Sequence, residues 1–571
     1  MLYDLYTPRG EQLSETPWQR YPRPQLRRDS FFNLNGDWDF AVCDSEPLPD
    51  HYGDTIRVPF CPESLLSGVH RHFPEGSFLF YRRFFTLPAN FVRDRVLLHI
   101  GAADQALDCF VNGRAVGSHT GGYTAMTFDI TDVLADHNEV VLRVRDDLRS
   151  PVLPYGKQTM RRGGMWYTPV SGVWQTVWLE SVPRQYVRSL SIRTDDRQAM
   201  IDTGDERLCG AVTVRTPGGE ITCPLEKGRA LVRPDAPRLW SPADPYLYEF
   251  TLTAGEDRVE SYFALRRLDV RQVNGTARLC LNGKPLFFHG VLDQGYYSDG
   301  LYTPAAPECY EEDVRAMQKL GFNTLRKHVK VEPEEFYYQC DRLGMVVFQD
   351  MVNNGEYRFV RDTLLPTLGV QRRNDARLHR DPDARAAFLA GMEATVTQLK
   401  NHPCIVLWTI FNEGWGQFEG DNAYARLKEL DPDRFVDTAS GWFRPEQSDV
   451  DSRHIYFGPW RLKAGNKPLL LTEFGGACLA VEDHLFHPDK AYGYSTCKTR
   501  AELAEKLRRL YETRILPAAR AGLCGAIYTQ LSDVEDEING LITWDRRVVK
   551  VDAETMQPLA RALQKAAEPN T

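Results

Sequence analysis

Two apolar runs constrain this chain more than anything else in it. One extends from Ile405 to Phe411 and leads into Asn412, Glu413 and Gly414. The other extends from Leu469 to Leu471 and leads through Thr472 into Glu473, Phe474 and Gly475. Both are short, continuous and bounded, as strands buried on both faces are. A carboxylate at the end of such a strand is costly unless it is paired or hydrogen-bonded, so packing alone does not account for it. In a barrel of parallel strands the C-terminal strand ends carry the chemistry. Two glutamates placed there match the acid/base and the nucleophile of a retaining glycosidase.

The rest of the chain fits around that expectation. At 571 residues it is too long for a single core. Short alternating segments at 36–40, 77–85, 95–100, 106–111, 139–144 and 173–179 predict a jelly-roll β-sandwich over residues 1–182. The Asn112-Gly113 pair marks a hairpin inside it. Segments at 187–192, 210–214, 230–232 and 247–253 predict an immunoglobulin-like sandwich over 183–273. From 274 to 571 the pattern becomes strand–helix alternation. Strands are predicted at 286–291, 323–328, 345–351, 405–412, 435–439, 454–457, 469–472 and 525–530. Helices are predicted at 311–320, 333–343, 384–400, 423–430 and 501–520. Eight strands over this length predict a (β/α)8 TIM barrel. The gaps on either side of the sixth strand are too short for a crossover helix.

Applying the strand-end rule gives one converging set: Asp293 and Gln294; Arg326, Lys327 and His328; Asp350 with Asn353 and Asn354; Asn412 and Glu413; Tyr456; Glu473; and Gln530, Ser532 and Asp533. Glu413 and Glu473 are the expected catalytic pair. The expected sugar contacts are Asn412, Tyr456, His328, Arg326, Asp293, Gln294, Asn353, Trp442, Gln530 and Trp544. A nucleophilic carboxylate must stay ionised, and Arg326 and Tyr456 are suitable donors. Asp350 reads as the structural partner of a barrel arginine, and His328 equally as a core histidine or a ligand contact. Lys327 and Lys330 read as surface charges; a lysine facing the mouth would instead suit a uronic acid. Alternation along a strand prevents all of Arg326, Lys327, His328 and Lys330 from doing so. Trp415, Trp442, Trp460 and Trp544 could stack on a sugar, and Trp166 and Tyr167 of the first sandwich could reach over the mouth.

Charge excludes some functions. A balance of 69 basic against 78 acidic residues, net −9, argues against a nucleic-acid footprint. No apolar stretch has the length of a membrane span or a signal peptide, which predicts a cytoplasmic protein. The 12 cysteines form no Cys-x-x-Cys pair and read as buried thiols. No metal-ligand set stands out, and no cofactor is expected; a magnesium or sodium ion is not indicated.

These residues resemble glycoside hydrolase family 2, which contains β-galactosidases, β-glucuronidases and β-mannosidases. Phe32 to Phe40 resembles the start of that family's jelly roll, and Ser171 to Gln175 its last strands. Asn282 to Leu286 with His289 to Val291, and then Gly321 to Arg326, resemble the first two barrel strands. The most specific matches are Asn412-Glu413 and Thr472 to Gly475. The resemblance implies Glu413 as acid/base, Glu473 as nucleophile, Asn412 on the sugar 2-hydroxyl and Tyr456 supporting the nucleophile. Three departures mark a divergent subgroup. Leu292 to Tyr297 stand where the family carries Asn-Arg/Lys-His-Glu. Gly414 stands where glucuronidases carry proline. Asn539-Gly540-Leu541 lacks the lysine of the glucuronidase Asn-x-Lys motif. The resemblance implies a retaining exo-β-glycosidase of β-galactosidase type acting on a carbohydrate substrate, with homo-oligomers common in the family. The alternatives are a β-glucuronidase or β-galacturonidase, transglycosylation by the same residues, and a non-catalytic carbohydrate-binding protein.

Overall fold

The architecture comes from a computed structural model, which describes residues 4–569 apart from 368–369, 371–374, 458–459, 461 and 491. The first sandwich packs a six-stranded antiparallel sheet on a four-stranded one in jelly-roll fashion. In the larger sheet the order is Asp54–Val58, Gly36–Cys43, Phe78–Phe85, Asn138–Arg145, Ala106–Val111 and Arg114–Thr120. Trp38, Phe40, Leu98, Val111, Leu142 and Leu179 fill the space between the sheets. Asn112 (φ 51°) and Gly113 (φ 74°) make the two-residue turn between the last two strands. Both lie in the left-handed region that such hairpins demand.

The second sandwich is immunoglobulin-like. A three-stranded sheet (Ser191–Thr194, Ala199–Asp202, Arg229–Val232) faces a four-stranded one (Gly219–Leu225, Gly210–Thr216, Tyr248–Ala254, Asp257–Phe263). Its first strand starts later than the alternation suggests. The Val187 N–H is spent on the Asp257 carboxylate at 2.8 Å instead of a ladder partner. The hairpin of Leu268–Val273 and Thr276–Leu281 then leads into the third unit without a linker. Arg278 from this hairpin donates to Leu523 O at 2.7 Å, at the bottom of the last barrel strand.

That third unit is a barrel of eight parallel strands: β1 (Phe288–Asp293), β2 (Thr324–Lys327), β3 (Val346–Asp350), β4 (Ile405–Asn412), β5 (Phe435–Ser440), β6 (Asp451–Ile455), β7 (Leu469–Gly475) and β8 (Leu523–Thr529). The hydrogen-bonded order is β5-β4-β3-β2-β1-β8-β7-β6, so the ladder is interrupted between β5 and β6. Side chains bridge that seam: Ser452 Oγ donates to Asp437 Oδ1 at 2.8 Å. Outside lie α1 (Glu308–Lys319), α2 (Glu334–Leu343), α3 (Pro382–Leu399), α4 (Gly420–Leu430), α5 (Arg500–Leu510), α6 (Leu516–Arg520) and α7 (Ala553–Ala567). The single helix expected over 501–520 is split by a wide turn at Tyr511–Ile515. Pro517 explains the split: it has no N–H to bond the preceding turn. β6 runs three residues upstream of its expected start because Asp451 to Ile455 pair with β7. Tyr456 is thereby left just past the strand end. Among the described residues no helix is long and apolar enough to cross a membrane.

The first thirty residues strap the three units together. Thr7 bonds Asp299 at 2.6 and 2.8 Å, the Trp18 indole N–H reaches Pro304 O at 2.9 Å, and Arg20 meets Glu335 at 2.6 Å. Trp18 packs with the barrel core and Leu26 with the second sandwich. Arg28 lies between the two sandwiches, donating to Glu180 at 2.9 Å and, through two nitrogens, to Asp257 at 2.8 Å. All three side chains are buried. Removing one member of a buried ion group strands the others, at a typical cost of about 3–5 kcal/mol. Arg28→Ala is therefore expected to lower the unfolding free energy by that amount in urea titrations. A loss within about 0.5 kcal/mol, the range of ordinary surface changes, would show that Arg28 does not couple the sandwiches.

Candidate active site

The C-terminal ends of β2, β3, β4, β6 and β7 converge on a buried guanidinium. Arg326 points into the barrel and its nitrogens are all engaged. Nε donates to Asp350 Oδ1 at 3.0 Å, Nη1 to Thr472 O and Glu473 Oε1 at 3.0 Å each, and Nη2 to Asn412 Oδ1 at 2.8 Å. Glu473 accepts a second hydrogen bond, from the Tyr456 hydroxyl, at 2.6 Å on Oε2. Burial pushes the Glu473 carboxyl pKa up. The His454 ring and the Arg326 guanidinium, with His328 and Lys157 behind them, pull it further the other way, to about 2. Asp350 follows the same logic: burial opposes ionisation, and Arg326 with His328 more than offsets it, leaving its pKa below the ordinary value.

Glu413 faces Glu473 from β4. Its side chain is 21% exposed and Oε1 lies 2.7 Å from His454 Nδ1. The same ring nitrogen is 3.6 Å from Glu473 Oε2. One oxygen of each carboxylate and a nitrogen of His454 all lie within 4.8 Å of one another. Among the described residues this is the one cluster with three metal-type donors, yet Arg326 and Tyr456 already occupy the Glu473 oxygens. The Glu413 backbone sits at φ +55°, a strained region for a residue with a side chain. Two contacts hold it there: its N–H donates to Ser440 O at 2.9 Å, and the Trp442 indole N–H donates to its carbonyl at 2.7 Å. The following Gly414 is required because a Cβ would lie 2.0 Å from the Phe443 ring. After β7, a Cβ on Gly475 would likewise run into the Tyr528 ring, at 2.4 Å. The glycine after each glutamate motif therefore has a steric cause.

The alternation along β2 decides the fate of its charges. Arg326 and His328 face inward, while Lys327 turns away to Asp293 (2.6 Å) and Glu332 (2.8 Å). Lys330 is locked on Gly295 O, Tyr302 O and Glu332. Neither lysine is a surface charge and neither faces the mouth; both are buried. Asp293 is consequently a correction to the expected sugar contacts, since Lys327 and the Gly295 N–H take its two oxygens. Gln294 and Gln530 are also spoken for. Gln294 donates to Gln530 (2.9 Å), Gln530 to Asn539 (2.9 Å) and Asn539 to Glu537 (2.8 Å), where the Tyr167 hydroxyl also donates. Trp544 is 1% exposed and packs edge-on against Phe486, so it presents no stacking face. Trp442 is 9% exposed and serves the Glu413 backbone.

His328 and Asn353 stand beside the charge cluster, each with an acceptor atom that is buried and has no partner. Burial, helped by Lys157, lowers the His328 pKa to about 4, against the pull of Asp350. The ring is therefore neutral near pH 7. Its Nδ1–H donates to Asp350 at 2.6 Å, leaving Nε2 buried and unpartnered. Asn353 donates to Trp415 O at 2.6 Å and its Oδ1 is likewise unpartnered.

The first sandwich roofs one side of this space. Asn353 O accepts from the N–H groups of Tyr155 and Gly156 at 3.1 Å, and Gly355 N donates to Pro151 O at 2.8 Å. Gly156 (φ +63°) lets the loop press onto Val329 O, where a Cβ would lie 3.0 Å away. Lys157 follows it and adds positive field to Glu473, His328 and Glu537. Among the described residues its ammonium has no hydrogen bond or ion pair. Trp166 and Tyr167 reach the barrel as well: Trp166 packs on Trp415 at 5.1 Å, and Tyr167 meets Glu537. His454 and Lys157 are the residues that the strand-end rule missed. His454 stands at the start of the expected strand 454–457 but near the end of the observed one, and Lys157 comes from another unit altogether.

Comparison with known proteins gives a consistent picture. A family model described as the TIM barrel domain of family 2 glycosyl hydrolases matches residues 272–483. A β-galactosidase of Aeromonas hydrophila is 28% identical over 411 residues, covering 65% of this chain and 36% of the relative. A β-glucuronidase of Felis catus is 26% identical, covering 73% of this chain and 69% of the relative. The chain spans 36% and 53% of the lengths of the first two curated relatives it matches, both β-galactosidases. In fold it is similar to a β-glucuronidase of Dictyoglomus thermophilum (TM-score 0.72, 18% identity, 95% and 98% of the two chains). It is also similar in fold to a β-galacturonidase of Eisenbergiella tayi solved with galacturonate (TM-score 0.68, 18% identity, 96% and 100%).

The charge cluster yields a pH prediction. A carboxyl whose folded pKa lies below its unfolded value of ~4.3 stabilises the fold fully above that pH, and loses the contribution as pH falls toward the folded value. In Arg326→Gln, Glu473 should titrate at higher pH and its stabilisation should fade earlier during acidification. At neutral pH the variant should lose about 3–5 kcal/mol of stability, as other broken buried pairs do. Urea melts across the acid range and isotope-edited infrared titration of the carboxyl check both; parent-like behaviour in both would refute this account.

Proposed function

We propose that the chain, whose residues 272–483 match the TIM barrel model of family 2 glycosyl hydrolases, is a member of that family and hydrolyses β-glycosides with retention of configuration. The observation that carries the proposal is the facing pair, Glu413 and Glu473, with oxygens within 4.8 Å. Retaining enzymes hold their carboxyl groups about 5–5.5 Å apart, whereas inverting ones leave about 6.5–9.5 Å for a water. Glu473, kept ionised by Arg326 and Tyr456, attacks the anomeric carbon. Glu413, the more exposed of the two, gives its proton to the departing oxygen and then takes one from the water that releases the sugar. Asn412 is turned by Arg326 so that its carbonyl is used up, which leaves its NH2 for the sugar 2-hydroxyl. The double displacement runs on side chains alone. The roof formed by residues 151–167 favours a pocket for one terminal sugar over an open cleft.

For the sugar, a β-galactoside is the first reading. It rests on the first curated relatives and on the absence of a lysine after Asn539. One observation favours a second reading, a β-uronide: the unpaired Lys157 ammonium in the field of Glu473 could hold a sugar carboxylate. Charge-assisted hydrogen bonds contribute about 1.5–3 kcal/mol. Lys157→Gln should therefore lower kcat/KM on nitrophenyl β-glucuronide or β-galacturonide about 10- to 100-fold, with the galactoside spared. Equal losses on both sugars would remove the uronide reading.

The catalytic assignment is tested by two substitutions. Glu473→Gln should abolish turnover of every nitrophenyl β-glycoside while leaving thermal unfolding cooperative. Glu413→Gln should cost about 10²–10⁴-fold on unactivated substrates, the usual contribution of a general acid. It should cost far less on dinitrophenyl glycosides, and added azide should yield the β-glycosyl azide. Full activity in the Glu473 variant would end the assignment.

A further inference from the structure

Aromatic rings from separate segments gather beside the loops that carry Glu413 and Tyr456, and the chemistry above uses none of them apart from Tyr456. On one side stand Tyr357 and Trp166, with centroids 4.9 Å apart, backed by Trp415 at 5.1 Å from Trp166 and 6.1 Å from Tyr357. On the other side Tyr494 stacks on Tyr456 at 4.0 Å, with Phe457 at 5.5 Å and Tyr492 at 6.1 Å from Tyr494. Gly164 of the roof loop lies against the Tyr492 ring, where a Cβ would sit 3.7 Å from it. Both walls adjoin the catalytic pair: the Trp415 N–H donates to Asn412 O at 3.2 Å, one residue before Glu413, and the Tyr456 hydroxyl donates to Glu473 at 2.6 Å.

The chemistry of these walls is one-sided. The Tyr357 hydroxyl is engaged by Thr363, and that of Tyr456 by Glu473 and Thr529. Phe457 is 66% exposed and Tyr492 37% exposed, and Met160 of the roof loop is 46% exposed. Exposed apolar side chains gathered at a site mark a surface that a ligand covers. A subsite for a second sugar would need convergent hydrogen-bonding groups as well as a stacking face. A flat apolar group needs only the two walls.

We propose that the leaving-group side of this site is built for a planar aromatic alcohol, so that the substrates are aryl β-glycosides and not oligosaccharides. This rests on the reading of Glu413 as the residue that protonates the departing oxygen. The aromatic group lies between the Tyr357–Trp166 wall and the Tyr492–Tyr494–Phe457 wall, with its bridging oxygen toward Glu413. It leaves before water attacks, so the walls act on formation of the glycosyl-enzyme and not on its hydrolysis.

The test uses the full chain and a series on whichever sugar it cleaves: naphthyl and phenyl glycosides, whose leaving groups are of similar acidity, then the methyl glycoside and a disaccharide. The naphthyl compound should exceed the phenyl one in kcat/KM by about 10-fold, with the disaccharide poorest after allowance for leaving-group acidity. Phe457→Ala and Tyr492→Ala should each lower kcat/KM on the naphthyl glycoside about 5- to 10-fold. They should leave the methyl glycoside, and the rate of hydrolysis of a trapped glycosyl-enzyme, unchanged. The methyl glycoside also reports whether the variants are folded. Equal losses on naphthyl and methyl substrates, or a disaccharide preferred to the naphthyl compound, would overturn the proposal. Those outcomes leave β-glycosidase activity standing; that reading fails separately, if no glycoside in the series is cleaved.

Discussion

One guanidinium organises the catalytic end of the barrel. Arg326 joins β2 to β3 through Asp350, to β4 through Asn412 and to β7 through Thr472 O and Glu473. Its planar fork sets directions as well as charge. The same group that keeps Glu473 ionised also turns the Asn412 amide and orders the start of the β4 loop that carries Glu413. Two buried carboxylates and a buried amide are tolerable there because a single cation satisfies all three. A lysine in its place would supply the charge without the geometry.

Much of this was written plainly in the sequence. The apolar runs of β4 and β7 marked their strands, and the Asn112-Gly113 turn placed a hairpin to the residue. What stayed hidden has specific causes. β6 was displaced because its pairing with β7, a tertiary event, overrides its own local pattern. The helix at 501–520 carries Pro517, and that breaker was legible. α7 lies outside the expected helices although Met556, Leu559, Ala560, Leu563 and Ala567, its buried face, keep helical spacing. Charges were the least legible part. Nothing local separates Arg326, which faces the mouth, from Lys327, which faces away, until the strand's phase is known. Asp293, Gln294 and Gln530 stood at the right heights on the barrel, but their hydrogen bonds were already committed to neighbours.

The roof shows how two units share one site. Residues 151–167 belong to the first sandwich, yet they bond Asn353, Asn354, Gly355 and Glu537 of the barrel. Gln294, Gln530 and Asn539 pass hydrogen bonds in one direction to Glu537, which the Tyr167 hydroxyl meets from the roof. The sandwich therefore rests on a fixed polar platform, and Lys157 and Trp166 inherit their positions from it. Selectivity can change in this loop while the strands that hold the carboxylates stay as they are.

The interrupted ladder between β5 and β6 has a consequence of its own. Among the described residues the β6 ladder is made on the β7 side alone, and β6 carries His454 and leads into Tyr456, two of the side chains that touch the facing glutamates. A slight sideways drift of this one staff would carry both contacts along together, while the four strands gathered by Arg326 kept their places. Insertions or deletions in the 441–450 stretch would thus act on the gap between the carboxylates, the dimension that separates one stereochemical outcome from the other, and reach the buried cation only through the 3.4 Å contact of His454 with Arg326. The missing rung makes the barrel adjustable at the point where a tenth of a nanometre matters.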